Sequence, residues 1–360
     1  MAMSVLAFAL FLLFTTASTL RTSNFSVVYV QNREPGEKTK IKDQAQRDAP
    51  VLLAEKRNPT VSVIAENLSW LENLALDPAT NSLFMSELKL GRVWRVNGSY
   101  HKEIWLSNFT DILGLTINPN KPGVLYGVGK QTGANVVFRT STTTPETCVT
   151  ITQLPKGKLG NGFGVHHESG FLFASSEGNF LPGGGSLFSI DPNTGNVTTI
   201  SNRLWGADGL WIDQQRHLLY VGQVTNSKML VWHLTLSNHS NPATSLGSMS
   251  TGGLGALAFM DDFTLGRNGS SIVAASWRKS EILEFPAYRT NKSFPLTVLV
   301  GGNSSIVHPT SARWGESLDP KSSFPSSALF VTEGHAKDYL NPLKDHTSRL
   351  LRIDFPPAEE

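Results

Sequence analysis

The segments Gly185–Ile200, GSLFSIDPNTGNVTTI, and Ala207–Gly222, ADGLWIDQQRHLLYVG, decide the fold of this 360-residue chain. In the first segment, two apolar-alternating runs flank Asp-Pro-Asn-Thr-Gly, where Pro presets φ and Gly accepts a positive φ, so the segment predicts a β-hairpin. The second segment opens with a short turn and holds two apolar runs separated by a polar turn. No i, i+3, i+4 apolar pattern persists between the Gly and Pro residues, which excludes helices.

The same unit of turn, apolar strand, polar turn and second apolar strand recurs along the chain. We place its six starts at Glu72, Leu113, Phe163, Asp208, Leu254 and Thr310, with spacings of 41, 50, 45, 46 and 56 residues. Six units of this length predict an all-β, six-bladed β-propeller. The last unit offers only three strands, so we expect residues 60–65 to supply the fourth and close the ring.

Composition agrees with this fold and excludes some functions. The chain has 31 Gly and 19 Pro, and it is 40% hydrophobic and 17% charged, which is typical of a turn-rich globular protein. Because the net charge is only +2, general charge attraction predicts no nucleic-acid partner. The single cysteine, Cys148, excludes an intramolecular disulfide and Cys-based zinc or CxxC redox chemistry.

The N-terminus predicts export. Residues 1–18 contain the apolar run Val5–Phe14 followed by small residues, which indicates a signal peptide. The run is shorter than the roughly 20 residues of a membrane span, although the missing basic residue before it leaves an uncleaved anchor as an alternative. Residues 19–58 show no sustained period and predict a flexible leader, so the propeller is assigned to residues 59–360. We expect no stable membrane insertion after signal cleavage.

Sequons support a secretory route. The chain has nine Asn-X-Ser/Thr triplets, whereas about four are expected by chance. We therefore predict the secretory pathway, with an extracellular, vacuolar or vesicular destination. The predicted glycosylation sites are Asn24, Asn67, Asn97, Asn108, Asn196, Asn238, Asn268, Asn291 and Asn303.

The six unit starts predict a ring of side chains at the channel mouth. Among them, Glu72 and Asp208 are carboxylates beside apolar neighbours, where partial desolvation raises a pKa and suits a general acid. We assign these two as catalytic residues. The predicted substrate-binding residues are Leu113, Phe163, Leu254, Thr310, Trp205, Trp277, Glu177, Glu333 and His335. The alternatives are a buried, backbone-satisfied carboxylate at Glu72, a turn-forming Asp208, and apolar ring residues that plug the channel.

The repeats over residues 60–355, most clearly Gly185–Trp232, resemble the SMP-30/gluconolactonase/luciferin-regenerating-enzyme family, with strictosidine synthase and paraoxonase as more distant relatives. Metal-dependent members of this family hold calcium or another divalent cation at the channel mouth, so the resemblance implies such a site here. The ligands are a Glu from the first blade, Asn from the third and fourth, and Asp from the fifth.

On this sequence the implied ligand set is incomplete. Glu72 matches the first-blade Glu, and Asp208 stands at the fourth-blade Asn position. Asn161 reaches the third-blade position only if the alignment slips, and Leu254 replaces the fifth-blade Asp. A hard cation prefers six or more oxygen ligands, so any metal would rest on Glu72 and Asp208 alone, and we expect no cofactor.

We therefore expect a metal-free enzyme that acts on an apolar small-molecule substrate. Secreted fungal relatives in tropolone–sesquiterpene pathways are hetero-Diels–Alderases, so the resemblance implies a cyclisation that joins an o-quinone methide to a terpenoid alkene in an apolar channel pocket. One alternative is a calcium-dependent or other divalent-metal-dependent lactonase or esterase. A second alternative is a non-catalytic secreted binding propeller.

Overall fold

A computed structural model describes residues 59–145, 148–178, 183–226, 228–235, 242–250, 260–288, 296–301, 305–317, 322–335 and 347–356. The predicted signal peptide and leader lie outside these residues, as do Leu254 and the sequons at Asn24, Asn238, Asn291 and Asn303. Over the described ranges, no helix is long and apolar enough to cross a membrane.

The described residues form 24 strands in six four-stranded sheets, which confirms the all-β, six-bladed propeller. Strand β1 (Thr60–Leu68) is the outer strand of blade 6. Blade 1 contains β2 (Leu71–Asp77), β3 (Ser82–Glu87), β4 (Arg92–Asn97) and β5 (Lys102–Leu106). Blade 2 contains β6 (Asp111–Ile117), β7 (Val124–Gln131), β8 (Ala134–Ser141) and β9 (Val149–Gln153). Blade 3 contains β10 (Phe163–Val165), β11 (Leu172–Ser176), β12 (Gly185–Ile190) and β13 (Val197–Leu204).

The second half of the ring repeats this order. Blade 4 contains β14 (Ala207–Asp213), β15 (Leu218–Gln223), β16 (Lys228–Leu234) and β17 (Ala243–Ser250). Blade 5 contains β18 (Met260–Leu265), β19 (Ser271–Ser276), β20 (Glu281–Pro286) and β21 (Thr297–Val300). Blade 6 contains β22 (Pro309–Trp314), β23 (Ala328–Glu333) and β24 (Ser348–Asp354). The first strands of neighbouring blades contact one another and line the channel.

The N-terminal strand closes the ring as predicted. β1 pairs antiparallel with β24, with Thr60 opposite Asp354 and Val61 opposite Ile353. The core is distributed around the ring as apolar clusters between adjacent blades; the cluster between blades 6 and 1 contains Leu68 from β1. Ring closure therefore satisfies the backbone edge of β24 and buries apolar surface at the same time.

The start of blade 5 differs from the sequence prediction. Its inner strand is β18 (Met260–Leu265), so the start at Leu254 is wrong. Asp261 takes the ring position that Glu72 has in β2 and Asp208 has in β14. The run 254–259 looked more strand-like because it is apolar, whereas two adjacent acids are costly to bury without partners.

The ladder register also moves the ring position in blade 3. Phe163 occupies the ladder position that Leu74 has in blade 1, and Leu74 lies two residues beyond Glu72. Asn161 therefore takes the ring position instead of Phe163. Phe163 is 2% exposed and packs in the core between blades 2 and 3, where its bulk fills the interior.

Candidate functional site at the channel mouth

Three carboxylates from different blades meet at the mouth, the end of the channel where the first strands begin. One oxygen each from Glu72, Asp208 and Asp261 lies within 4.8 Å of the other two. Asn161 adds an amide from blade 3, and it is buried like Glu72 and Asp208. The channel thus gathers four oxygen-bearing side chains that are far apart in sequence.

An irregular ladder aims these side chains into the channel. The register shifts between Leu71 and Leu74 in blade 1, between Ala207 and Leu210 in blade 4, and between Met260 and Phe263 in blade 5. A bulge places an extra residue in one strand and turns its side chain out of the regular alternation. The three ring carboxylates, Glu72, Asp208 and Asp261, lie within these three bulges.

Missing β-carbons let the inner strands approach closely. The residue after the ring position is glycine in blades 2, 3 and 4. A Cβ added there would lie 2.3 Å from the Asn161 carbonyl oxygen at Gly114, 2.3 Å from that of Asp208 at Gly162, and 2.2 Å from that of Asp261 at Gly209. These glycines therefore set the width of the ring on one side of the channel.

Polar groups form the layer below the ring on the other side. Asp262 Oδ2 accepts hydrogen bonds from Asn73 Nδ2 at 2.6 Å and from Ser311 Oγ at 2.9 Å. Arg313 Nη2 donates to the same oxygen at 2.5 Å, and both members of this ion pair are buried. The layer joins blades 1, 5 and 6, and within it Arg313 forms its ion pair with Asp262.

Burial makes ionisation of the ring carboxylates unfavourable. Burial raises the pKa of Glu72 to about 7, and the charge of Asp262 adds to this rise, whereas the hydrogen bond from Trp70 opposes it. Trp70 Nε1 donates to Glu72 Oε2 at 2.5 Å. Glu72 therefore binds a proton or a cation more readily than an exposed carboxylate does.

The pKa values of the acids next to Glu72 are raised as well. Burial raises the pKa of Asp208 well above its usual value, and so do the charges of Asp261 and Glu177. Burial and the charge of Glu72 likewise raise the pKa of Asp261, and they raise that of Glu177 to about 8. This cluster needs protons or a cation to balance its charge.

The donor set fits a hard cation. Asp208 Oδ1 is buried without a hydrogen-bond partner among the described residues. Asn161 Nδ2 donates to Glu177 Oε1 at 2.7 Å, so its amide oxygen is the atom that Asn161 would offer to a cation. Two oxygens on one Ca²⁺ lie at most about 5 Å apart, given bond lengths of about 2.3–2.6 Å, which agrees with the spacing of the three carboxylates.

An apolar group lies beside the acids. Trp70, Leu88 and Leu113 are buried and pack with Leu159 and Trp277. Leu113, predicted from sequence to bind substrate, therefore lies in a cluster at the mouth, and Trp277 stacks against Trp70 with ring centroids 5.9 Å apart. Trp205 lies in the turn before β14 and is 43% exposed.

Other predicted site residues have structural partners. Glu333 is fully buried; its Oε2 accepts from Arg349 Nε at 2.6 Å and its Oε1 from the Val307 backbone N–H at 2.7 Å. His335, whose Nε2 lies 3.6 Å from Glu333 Oε2, and the hydrogen bonds from Arg349 together lower the pKa of Glu333 despite its burial. Thr310 Oγ1 donates to Leu71 O at 3.0 Å. These contacts join strands at the blade 6 side of the mouth.

The described sequons lie at or near the surface. Asn67, Asn108, Asn196 and Asn268 are exposed, and Asn97 is partly exposed. Their side chains are therefore sterically available to a glycan, which needs an accessible acceptor.

A short pattern marks the ring in retrospect. Glu72-Asn-Leu-Ala-Leu, Asn161-Gly-Phe-Gly-Val, Asp208-Gly-Leu-Trp-Ile and Asp261-Asp-Phe-Thr-Leu share a polar first residue, a small or polar second residue and apolar third and fifth residues. Sequence reasoning missed Asp261 because it weighted apolar runs, and it considered Asn161 only under a shifted alignment.

Comparison with known proteins places the fold. No protein-family model matches the chain, and no curated protein matches it in sequence. The structure is similar to a gluconolactonase from Xanthomonas campestris, with a TM-score of 0.60, 13% identity, and coverage of 84% of this chain and 91% of that chain. It is also similar to a luciferin-regenerating enzyme, with a TM-score of 0.61, 12% identity, and coverage of 82% and 95%.

A third similar structure is regucalcin, a calcium-binding protein from Agrobacterium tumefaciens, with a TM-score of 0.57, 14% identity, and coverage of 83% of this chain and 97% of that chain. At these identities the likeness establishes architecture and leaves chemistry to the residues of the site. The chain therefore has the fold of the gluconolactonase, regucalcin and luciferin-regenerating-enzyme propellers.

Proposed function

We propose that the protein is a divalent-metal-dependent hydrolase of lactones or esters. The observation that carries this proposal is the convergence of Glu72, Asp208 and Asp261 within 4.8 Å at the channel mouth. The fifth-blade acid that the sequence had seemed to lack is Asp261, so the main objection to a metal site no longer holds. Similar folds in a gluconolactonase and a calcium-binding protein add support.

Calcium or another hard divalent cation would be held by Glu72, Asn161, Asp208 and Asp261. All four offer oxygen atoms, which such cations prefer to nitrogen or sulfur. The raised pKa values of the three acids show that their negative charges are poorly compensated by the chain. When bound, the cation would polarise the substrate carbonyl and stabilise the negative charge that develops on its oxygen.

Glu177 is the best candidate for moving a proton. It accepts a hydrogen bond from Asn161 and lies close enough to Asp208 for each to influence the pKa of the other, so it adjoins the ring without belonging to the three-carboxylate group. With a pKa of about 8, it can accept a proton from an attacking water and return it to the leaving oxygen, because a general base works best near the working pH. Asn161 orients this carboxylate.

The test combines metal content with turnover. Purified protein is dialysed, its metals are quantified by elemental mass spectrometry, and lactone hydrolysis is followed with EDTA and with added Ca²⁺, Mn²⁺ or Zn²⁺. We expect one cation per chain, activity that EDTA abolishes, and loss of both in Asp261→Asn. Glu103→Gln on the exposed outer strand is the matched control. Full activity without any cation would contradict the proposal.

A metal-free cyclase remains the second candidate, since a raised pKa also makes Glu72 a proton donor and the mouth carries apolar side chains. Protonated Glu72 or Asp208 would then assist loss of water or hydrogen-bond a carbonyl in a cycloaddition. The same experiment separates the two functions. Cyclisation by cation-free protein, unaffected by EDTA, would favour this candidate over the hydrolase.

We also propose that the chain enters the secretory pathway and carries N-linked glycans. The support is the number of sequons and the exposure of four of the five described ones. Protein secreted from a eukaryotic host should lose mass on treatment with peptide N-glycosidase, and Asn196→Gln should remove one glycan. An unchanged mass in the wild type would refute glycosylation.

A further inference from the structure

A row of stacked aromatic side chains begins at one ring carboxylate. Trp70, which hydrogen-bonds to Glu72, stacks on Trp277 at 5.9 Å with 27° between the ring planes. Trp277 in turn stacks on His308, with centroids 4.5 Å apart and planes at 25°. These three residues, here named the aromatic wall, cross from blade 1 through blade 5 to the start of blade 6.

Both indole N–H groups of the wall and one ring nitrogen of its histidine are engaged with the protein. Trp277 Nε1 donates to Gly334 O at 2.8 Å, and His308 Nδ1 lies 3.0 Å from Trp277 O. Trp70 Nε1 is bound to Glu72. On the wall a polyhydroxylated sugar ring could regain hydrogen bonds only at the remaining nitrogen of His308, so most of its hydroxyl groups would lose hydrogen bonds to water, which is costly for each of them. An alkyl or aryl group loses none.

The position of the wall is fixed by its surroundings. A Cβ at Gly334 would lie 2.7 Å from Trp70 Cε2 and 2.8 Å from its Nε1, so only glycine lets the indole lie against this backbone. The Gly334 carbonyl also accepts the Trp277 hydrogen bond. One residue therefore orients both tryptophans. Trp70 is 7% exposed, whereas Trp277 and His308 are partly exposed, so a ligand can reach these two members of the wall.

Building on the hydrolase function proposed above, we infer that the substrate is a lactone or ester whose alkyl or aryl substituent packs on the aromatic wall. Its carbonyl would face the carboxylate ring, because Trp70 joins the wall directly to Glu72. Trp277 is then a specificity-determining residue, and sugar lactones are poor substrates. Leu88 and Leu113 extend the same apolar lining next to Trp70.

Turnover gives the first test. The kcat/KM of the metal-loaded protein is measured for δ-valerolactone, its 5-pentyl derivative δ-decalactone, and glucono-δ-lactone. We expect kcat/KM for the pentyl lactone to exceed kcat/KM for the sugar lactone by at least roughly tenfold. Trp277→Ala should reduce kcat/KM for the pentyl lactone by a similar factor and leave kcat/KM for δ-valerolactone little changed. Trp277→Phe should retain most of the preference for the pentyl lactone. Trp314→Ala, at the far end of β22, is the matched control.

Equilibrium binding tests the inference independently of catalysis. The δ-lactams with and without the pentyl group resist hydrolysis, and calorimetry measures their affinity for the same proteins. We expect the pentyl lactam to bind at least roughly tenfold more tightly to the wild type, and this difference to disappear in Trp277→Ala. Circular dichroism and thermal unfolding establish that each variant is folded.

The outcomes separate the two proposals. Hydrolysis of glucono-δ-lactone in preference to the pentyl lactone, or equal affinity for the two lactams, would overturn the role of the aromatic wall while leaving the hydrolase intact. Tight, Trp277-dependent binding of the pentyl lactam without hydrolysis of any lactone would support the wall and refute the hydrolase.

Discussion

The pKa of Glu72 predicts how the stability of the metal-free protein depends on pH. Burial raises this pKa from 4.5 to about 7 in the folded state, so between these values the folded chain binds more protons than the unfolded chain. The free energy of unfolding must then fall as the pH rises through this window. The stabilising contribution is complete below about pH 4.5 and lost above about pH 7.

The magnitude follows from the size of the shift. A shift of about 2.5 pKa units, at about 1.36 kcal/mol each, corresponds to about 3 kcal/mol between the two ends of the window. Glu72 is 7% exposed, so solvent screening reduces this value little. A saturating cation should offset the loss at pH 8, since a ligand at 100 times its Kd stabilises the folded state by about 2.7 kcal/mol.

Denaturant unfolding in EDTA at pH 5 and pH 8 measures the effect. Burial lowers the pKa of His166, so this residue acts in the opposite direction and destabilises the folded state as the pH falls. Glu72→Gln is therefore the reference, because it retains His166 and the other acids of the mouth while removing the Glu72 carboxyl group, and with it the negative charge that raises the pKa values of Asp208, Asp261 and Glu177. The decrease in the free energy of unfolding from pH 5 to pH 8 should be larger in the wild type by about 2–3 kcal/mol. Coincident profiles of the two proteins would refute a protonated Glu72 in the folded state.

The remaining predictions concern the supports of the ring and the core. Arg313→Met strands the buried Asp262 carboxylate and should lower the free energy of unfolding by about 3–5 kcal/mol in a urea titration; a change below about 1 kcal/mol would contradict the buried pair. Gly162→Ala places a Cβ against the Asp208 carbonyl and should weaken cation binding roughly tenfold or more by calorimetry, whereas unchanged affinity would show that the ring tolerates displacement. Leu68→Ala should cost about 2–5 kcal/mol in the same urea assay, because Leu68 is fully buried where β1 closes the ring; a negligible cost would refute that role.

Local sequence patterns predicted most of the fold. The hairpin at Gly185–Ile200 is seen as β12 and β13, and the alternation in residues 60–65 predicted a strand that pairs with β24. Both are local signals, because strand alternation and turn chemistry act over a few residues. The spacing of the repeats then fixed the number of blades.

The ring was only partly predictable. Glu72 and Asp208 were recognised because each opens a clear apolar strand. Asp261 was missed because Asp261-Asp262 looks unfavourable in a buried strand until the partners of Asp262 are known. Those partners are Asn73, Ser311 and Arg313, from blades 1 and 6. No local pattern contains them.

The sequence by itself determined the strand repeat, the six blades and the closure by the N-terminal strand, since each depends on periodicity along the chain. Only the tertiary structure decided which side chains share the mouth. A bulge or a change in register moves a different side chain into the channel. A two-residue change in register replaced Phe163 by Asn161, and the choice of β18 as the inner strand of blade 5 placed Asp261 in the ring position expected for Leu254. Contacts between strands from different blades fix the register, so the chemistry of the mouth is a property of the closed ring.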